Sequence, residues 1–222
     1  MSKEIKLVNL DKTWDEPFNP AFPGTRGSAY LFVGTKNSGK SYWCNRMIDM
    51  MDFDRVIIVY SYAKSREYVD IPHEKLCSID EICTSNFEDT TIKTLLVIED
   101  LYMEGMPKCK KEIIHAILRQ SCSHSGLTCI LNVHSLWSLD TQIRDLADVM
   151  ILFGNENTAL IKRYADRCGL DKEDYMILAK KYLKPILDDN GKPVKYKPNI
   201  VIDRSGHPTR YRYNTLKPAI IN

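Results

Sequence analysis

A layered α/β fold with a largely parallel sheet is what this chain predicts, and three observations carry the prediction. Short, almost purely apolar runs recur along the chain. Stripes of helical period separate them. The first run leads directly into a polar, glycine-containing loop, GTKNSGKS, which opens onto one of those stripes. Strands covered by helices on both faces read as continuous apolar runs, and parallel neighbours need helical crossovers between them.

In chain order, residues 1–27 hold Pro17, Pro20 and Pro23 and no sustained periodicity, so they read as an extended lead-in to one domain over 28–222. Five strands are expected: AYLFV (29–33), RVIIVY (55–60), TLLVI (94–98), TCILNV (128–133) and VMILF (149–153). The first helix spans residues 40–52, with Trp43, Met47, Met50 and Met51 at helical spacing. A second runs from about Lys108 to Ser121, with Ile113, Ile114, Ile117 and Leu118 on one face. Further helices follow in NTALIKRYADRCGL, stopped by Gly169, and in DKEDYMILAKKYL. The tail, PNIVIDRSGHPTRYRYN, predicts a terminal hairpin over about 198–214. Residues 61–93 show no clear period.

Composition bounds the function. At 222 residues with 44% apolar and 27% charged side chains, the chain can bury one sizeable core. A formal charge of +2 means that any nucleic-acid surface is local or assembled from several subunits. No apolar run approaches the ~18 residues of a membrane span, and the N-terminus lacks a signal-like apolar core. The expectation is therefore no membrane partner and no secretion. The seven cysteines are scattered without a CxxC pair, which suits free thiols in a reducing compartment. Cys122, His124, Cys129 and His134 do not suggest zinc, because a strand through 127–133 turns successive side chains to opposite faces.

The loop carries the chemistry. Gly34, Thr35, Lys36, Asn37, Ser38, Gly39, Lys40 and Ser41 match GxxxxGK[ST] without a mismatch. Gly34 and Gly39 let the main chain curl so that its N–H groups surround phosphate oxygens, and the following helix adds its positive end. Lys40 is expected on the β- and γ-phosphates, and the Ser41 hydroxyl on Mg²⁺. The cofactors expected are ATP and Mg²⁺, and the sheet becomes the five-stranded core of a P-loop NTPase with a C-terminal hairpin.

Further along, LLVIED carries Glu99 and Asp100 to the sheet edge where ligands of open α/β sheets collect. Glu99 is assigned to the metal and Asp100 to orienting and polarising water. The fourth strand, expected beside both nucleotide strands, ends at His134, a candidate γ-phosphate sensor with Asn132 and Ser135 as substitutes. Arg119 and Arg144 are the candidate cations to offset charge as the phosphate bond breaks, from the same or a neighbouring subunit. No Asn-Lys-x-Asp element for guanine occurs. Lys108, Lys110 and Lys111, and separately Lys192, Lys195 and Lys197, form two basic clusters.

The ordered set FVGTKNSGKS, LLVIED, ILNVHSLWSLDTQIRDLADVMILF and IVIDRSGHPTRYRY resembles the viral genome-packaging ATPases of the FtsK–HerA superfamily, the poxvirus-type group found in large double-stranded DNA viruses and their relatives. It covers roughly residues 28–214. The resemblance implies a homo-oligomeric ring, pentamer or hexamer, that hydrolyses ATP to push double-stranded DNA into preformed capsids. It also implies capsid or portal-vertex proteins as partners and a place in the host cytoplasm or on the virion. The chain departs from the family pattern at His134, where Gln is usual, at Glu99, where Asp is common, and at Ser123–His124, where an Arg-His pair is frequent. A cellular helicase or recombination ATPase of the same superfamily, and a nucleotide-binding interaction module with vestigial hydrolysis, are the competing expectations.

Overall fold

The computed structural model describes residues 8–9, 27–51, 53–60, 68, 70–82, 84–154, 163, 165–166, 172–183, 189–191, 198–204 and 211–214. Among them nine strands form one sheet: β1 (Val8–Asn9), β2 (Ala29–Val33), β3 (Arg55–Val59), β4 (Glu74–Leu76), β5 (Thr94–Ile98), β6 (Thr128–Val133), β7 (Val149–Phe153), β8 (Asn199–Asp203) and β9 (Tyr211–Asn214). Their order across the sheet is β1-β9-β8-β7-β2-β6-β5-β3-β4. The five strands expected from the sequence are the central ones, β7-β2-β6-β5-β3, and every pairing among them is parallel.

That order positions the site. The chain leaves β2 and reaches β3 across the space that β5 and β6 later fill, so β6 lies between β2 and β5 as expected. The register aligns Val33 of β2 with Val133 of β6, and Ile98 of β5 with Leu131 of β6. The residues that follow these three strands therefore emerge side by side on one sheet edge.

Both faces of the sheet are covered, which is why β2, β5, β6 and β7 are buried along their whole length. Tyr30, Phe32, Leu95, Val97, Ile130 and Ile151 face α1 (Lys40–Met50), which contributes Trp43, Cys44 and Met47. Leu31, Val33, Leu96, Ile98, Leu131 and Val133 face the other way, toward α2 (Lys108–Ala116) and α3 (Thr141–Leu146). α2 does not stop where its α-helical geometry does. It runs on through a π-turn at Ile117–Ser121 and a last turn at Cys122–His124, so the apolar stripe Ile114, Ile117 and Leu118 stays buried across the change of pitch. α4 (Lys172–Tyr182) buries Tyr175, Leu178 and Ala179.

The two strands of the expected hairpin pair antiparallel, Ile200 with Tyr213 and Ile202 with Tyr211, and β8 docks antiparallel on β7. Its turn lies outside the described residues, as do the cluster Lys192, Lys195 and Lys197 and most of the helix expected over 157–170. Two elements were not expected. Val8–Asn9 of the lead-in pairs parallel with β9, and the segment without a period supplies the edge strand β4, tied to β3 by an Arg55–Glu74 ion pair at 2.7 Å. No helix of the described residues is long and apolar enough to cross a membrane.

Candidate active site

The loop after β2 is curled as its glycines require. The Gly34 N–H donates to the Val133 carbonyl at 3.1 Å, which keeps the loop's start on the sheet. A Cβ on Gly34 would lie 2.5 Å from Ser38 Oγ and 2.7 Å from Phe153 Cβ, so no other residue fits there. Asn37 and Gly39 take positive φ of 61° and 99°, reversing the chain into α1. Gly39 caps α1 without a side-chain bond, so the N–H groups of the first turn point into the loop's concavity. Ser38 lies beneath the curl, its hydroxyl buried without a protein partner, while Thr35, Lys36 and Asn37 form the exposed tip. A ring of main-chain donors with an ammonium inside it fits a polyphosphate.

That ammonium belongs to Lys40. It is buried, and Nζ donates to the carbonyls of Gly34 at 2.8 Å and Thr35 at 3.3 Å. Burial lowers the Lys40 pKa, while the carboxylates of Asp100 and Glu99 act against that shift.

The two acids have opposite surroundings. Glu99 extends β5 by one more bond, its N–H donating to the Val59 carbonyl at 3.0 Å, and its side chain points inward beneath the loop. One carboxylate oxygen, Oε1, accepts from the Asn132 amide at 2.8 Å and from the Tyr68 hydroxyl. The Ser41 hydroxyl, at the start of α1, is near enough to this carboxylate to favour its charged form. Burial raises the Glu99 pKa, and the bonds from Tyr68, Asn132 and Ser41 partly restore the charged form. A hydroxyl and a carboxylate brought together beside a phosphate cradle are the hard oxygen donors that Mg²⁺ takes. Ser41 and Glu99 would hold it, so the expected metal pair fits.

Asp100 leaves the strand through a left-handed turn, φ 49°, which Asp tolerates better than most residues. Its carboxylate is half exposed, and Oδ1 lies 3.2 Å from His134 Nε2. The other ring nitrogen, Nδ1, is 3.5 Å from Lys40 Nζ. A lysine ammonium can only donate, so Nδ1 accepts and the imidazole proton sits on Nε2, facing Asp100. His134 thus bridges the loop lysine and the outer acid, on the rim where a γ-phosphate would stand.

Several expectations change at this point. Asn132 is fully buried and holds Glu99, and Ser135 accepts from the Trp137 N–H at 3.2 Å to cap a turn, so neither substitutes for His134 at the rim. Arg144 does not present its charge to an open boundary. It is buried, and its guanidinium donates to the carbonyls of Leu136 at 2.9 Å and Leu139 at 3.1 Å and to Thr141 Oγ1 at 2.7 Å. Those bonds brace the turn that follows β6. Arg119 is exposed on the π-turn, at the end of α2 that returns toward the start of β6. There it lines an open polar cleft of about 730 Å³ with Lys108, Lys111, His115 and His124.

The lysines of the first basic cluster also separate. Lys110 pairs with Asp80 at 2.6 Å, whereas Lys108 and Lys111 pair with Glu112 and Asp140 around the cleft. Tyr68 is the site residue that spacing missed. It comes from the stretch without a period and is 1% exposed, and only its tertiary contact with Glu99 marks it.

No protein-family profile matches this chain, and no curated protein does. Solved structures do. The DNA-packaging ATPase B204 of Sulfolobus turreted icosahedral virus superposes with a TM-score of 0.60 at 13% identity, covering 86% of this chain and 98% of that one. The genome-packaging NTPase B204 of Sulfolobus turreted icosahedral virus 2, in complex with ATPγS, gives 0.53 at 16% identity over 85% and 97%. The pCW3 conjugation coupling protein TcpA, with ATPγS, gives 0.50 at 12% identity, covering 79% of this chain and 57% of that one. At these identities the likeness is one of fold, and the fold is that of P-loop ATPases.

Proposed function

We propose that this chain is an ATP-hydrolysing DNA translocase that works as a homo-oligomeric ring, most specifically a genome-packaging motor of a double-stranded DNA virus. The observation that carries the reading is the convergence on one sheet edge of the curled loop, the Ser41–Glu99 pair beneath it and the Lys40–His134–Asp100 bridge in front of it. The fold shared with packaging NTPases and with a conjugation coupling protein supports it, as does the order of motifs.

In this reading Lys40 moves from the Gly34 and Thr35 carbonyls to the β- and γ-phosphates. Ser41 and Glu99 would hold a magnesium ion, which would supply positive charge to the polyphosphate. Asp100 orients a water and accepts its proton, and His134 holds Asp100 at the correct distance. With Arg144 committed to the turn after β6, Arg119 is the arginine available to reach a neighbour's nucleotide. Duplex DNA, capsid-vertex proteins and residence in the host cytoplasm or virion belong to the same proposal.

The test is the ATPase rate against protein concentration, with and without duplex DNA. A cooperative rise that DNA enhances, lost in both Lys40→Ala and Asp100→Asn, is the expected result. Normal turnover in both variants would sink the reading. Nucleotide binding without turnover, even in assembled rings on DNA, would favour an interaction module. Efficient strand separation would favour a cellular helicase.

A further inference from the structure

We propose that Tyr68 is a positioning residue that sets metal affinity separately from nucleotide affinity, by fixing the carboxylate of Glu99. This inference rests on the nucleotide-site reading above and extends it to a residue outside every motif.

The geometry is a wall of four side chains behind the loop, each from a different part of the chain. Cys44 comes from α1, Glu99 from the end of β5, Asn132 from β6, and Tyr68 from the connection between β3 and β4. All four are buried. Tyr68 and Asn132 both donate to the same oxygen, Oε1 of Glu99. The Asn132 amide is itself oriented, because the Cys44 thiol donates to its Oδ1 at 3.6 Å. With two donors on one oxygen the carboxylate cannot rotate freely. Partners of this kind, one bond removed from a metal, hold its ligands in the binding orientation.

Tyr68 is held in turn. Its ring meets His73 edge-on at 6.3 Å between centroids. The His73 ring is pinned by Nδ1–H donating to the Ile71 carbonyl at 2.7 Å and by Nε2 accepting from the Tyr60 hydroxyl at 3.3 Å. The Ile71 N–H closes the unit on the Tyr68 carbonyl at 3.3 Å. These contacts fix the ring and main chain of Tyr68, so its hydroxyl is aimed at Glu99 Oε1. Phenylalanine supplies the same apolar surface and leaves Oε1 one donor short.

The experiment uses the full chain and Mn²⁺ as the probe, titrated by electron paramagnetic resonance in the presence of a non-hydrolysable ATP analogue. Nucleotide affinity is measured in parallel with a fluorescent analogue in EDTA. Tyr68→Phe is expected to weaken Mn²⁺ binding about 10- to 100-fold while metal-free nucleotide affinity stays within about twofold. Asn132→Ala, which removes the other donor, should show the same split. Unchanged Mn²⁺ affinity in both variants overturns the proposal. So does an equal loss of metal and metal-free nucleotide binding, which marks general damage to the site. A parent chain that binds the nucleotide analogue but takes up no Mn²⁺ beside it overturns the metal assignment of Ser41 and Glu99 and this proposal with it. None of these outcomes depends on DNA or turnover, so a failed motor reading and a failed role for Tyr68 are told apart.

Discussion

Behind the phosphate loop and in front of it, the same sheet edge is built on opposite terms. The wall of Glu99, Asn132, Cys44 and Tyr68 is buried and multiply bonded. The rim of Asp100 and His134 is half exposed, joined by one contact of 3.2 Å and tied to Lys40 by another of 3.5 Å. Glu99 and Asp100 are adjacent in sequence, so their difference comes entirely from the sheet. The strand's alternation turns one side chain under the loop, and the left-handed turn carries the other out to solvent. A buried, fixed carboxylate suits holding a metal. An exposed one with a single partner suits exchanging protons with water.

The comparison can be broken most decisively at the residue both sides share. Lys40→Ala removes the ammonium that contacts His134 and faces both acids, and turnover should become undetectable in a steady-state ATPase assay with nucleotide binding also weakened. Asp100→Asn keeps shape and removes the base. The expected loss in kcat is about 10²- to 10⁴-fold with nucleotide affinity preserved, read from turnover and equilibrium binding together. Were Glu99→Gln and Asp100→Asn to have the same profile, the division between wall and rim would fail.

The arginines sharpen the contrast through stability. Arg144→Ala removes the guanidinium donor from the Leu136 and Leu139 carbonyls and should cost about 2–4 kcal/mol in denaturant melts. Arg119→Ala should leave the melt within about 0.5 kcal/mol and lower only the turnover of assembled protein. The smallest effect belongs to His134→Gln, which can still hydrogen-bond in both directions. A change in kcat of less than about tenfold is expected, because the imidazole positions Asp100 and does not itself accept the proton of the water.

How much of this was legible follows from the range of each signal. The five central strands, the loop and the two acids were legible because local patterns encode them: apolar runs, glycines at a reversal, charge at a strand's end. The place of β6 between β2 and β5 was also expected, since crossover connections permit few orders. The arginines could not be ranked, because burial and not residue type separates them. Asn132 looked like a rim residue only until the register turned it beneath the loop. Tyr68 gave no signal at all. Its neighbours have no period, and its partner lies 31 positions away. Residues 1–27 read as a lead-in, yet Val8 and Asn9 found a free strand edge on β9, which propensity does not foresee.

The connections after β5 and β6 are joined main chain to main chain, Leu101 N–H to the Asn132 carbonyl at 2.8 Å and Met103 N–H to the Ser138 carbonyl at 2.9 Å. Such a seam ignores side-chain identity, so among ordinary substitutions only proline, which lacks the N–H, removes one of its donors. Asp100 and the Arg144-braced turn are therefore linked through the main chain itself. Replacing a seam amide by an ester would be the way to make that linkage slip.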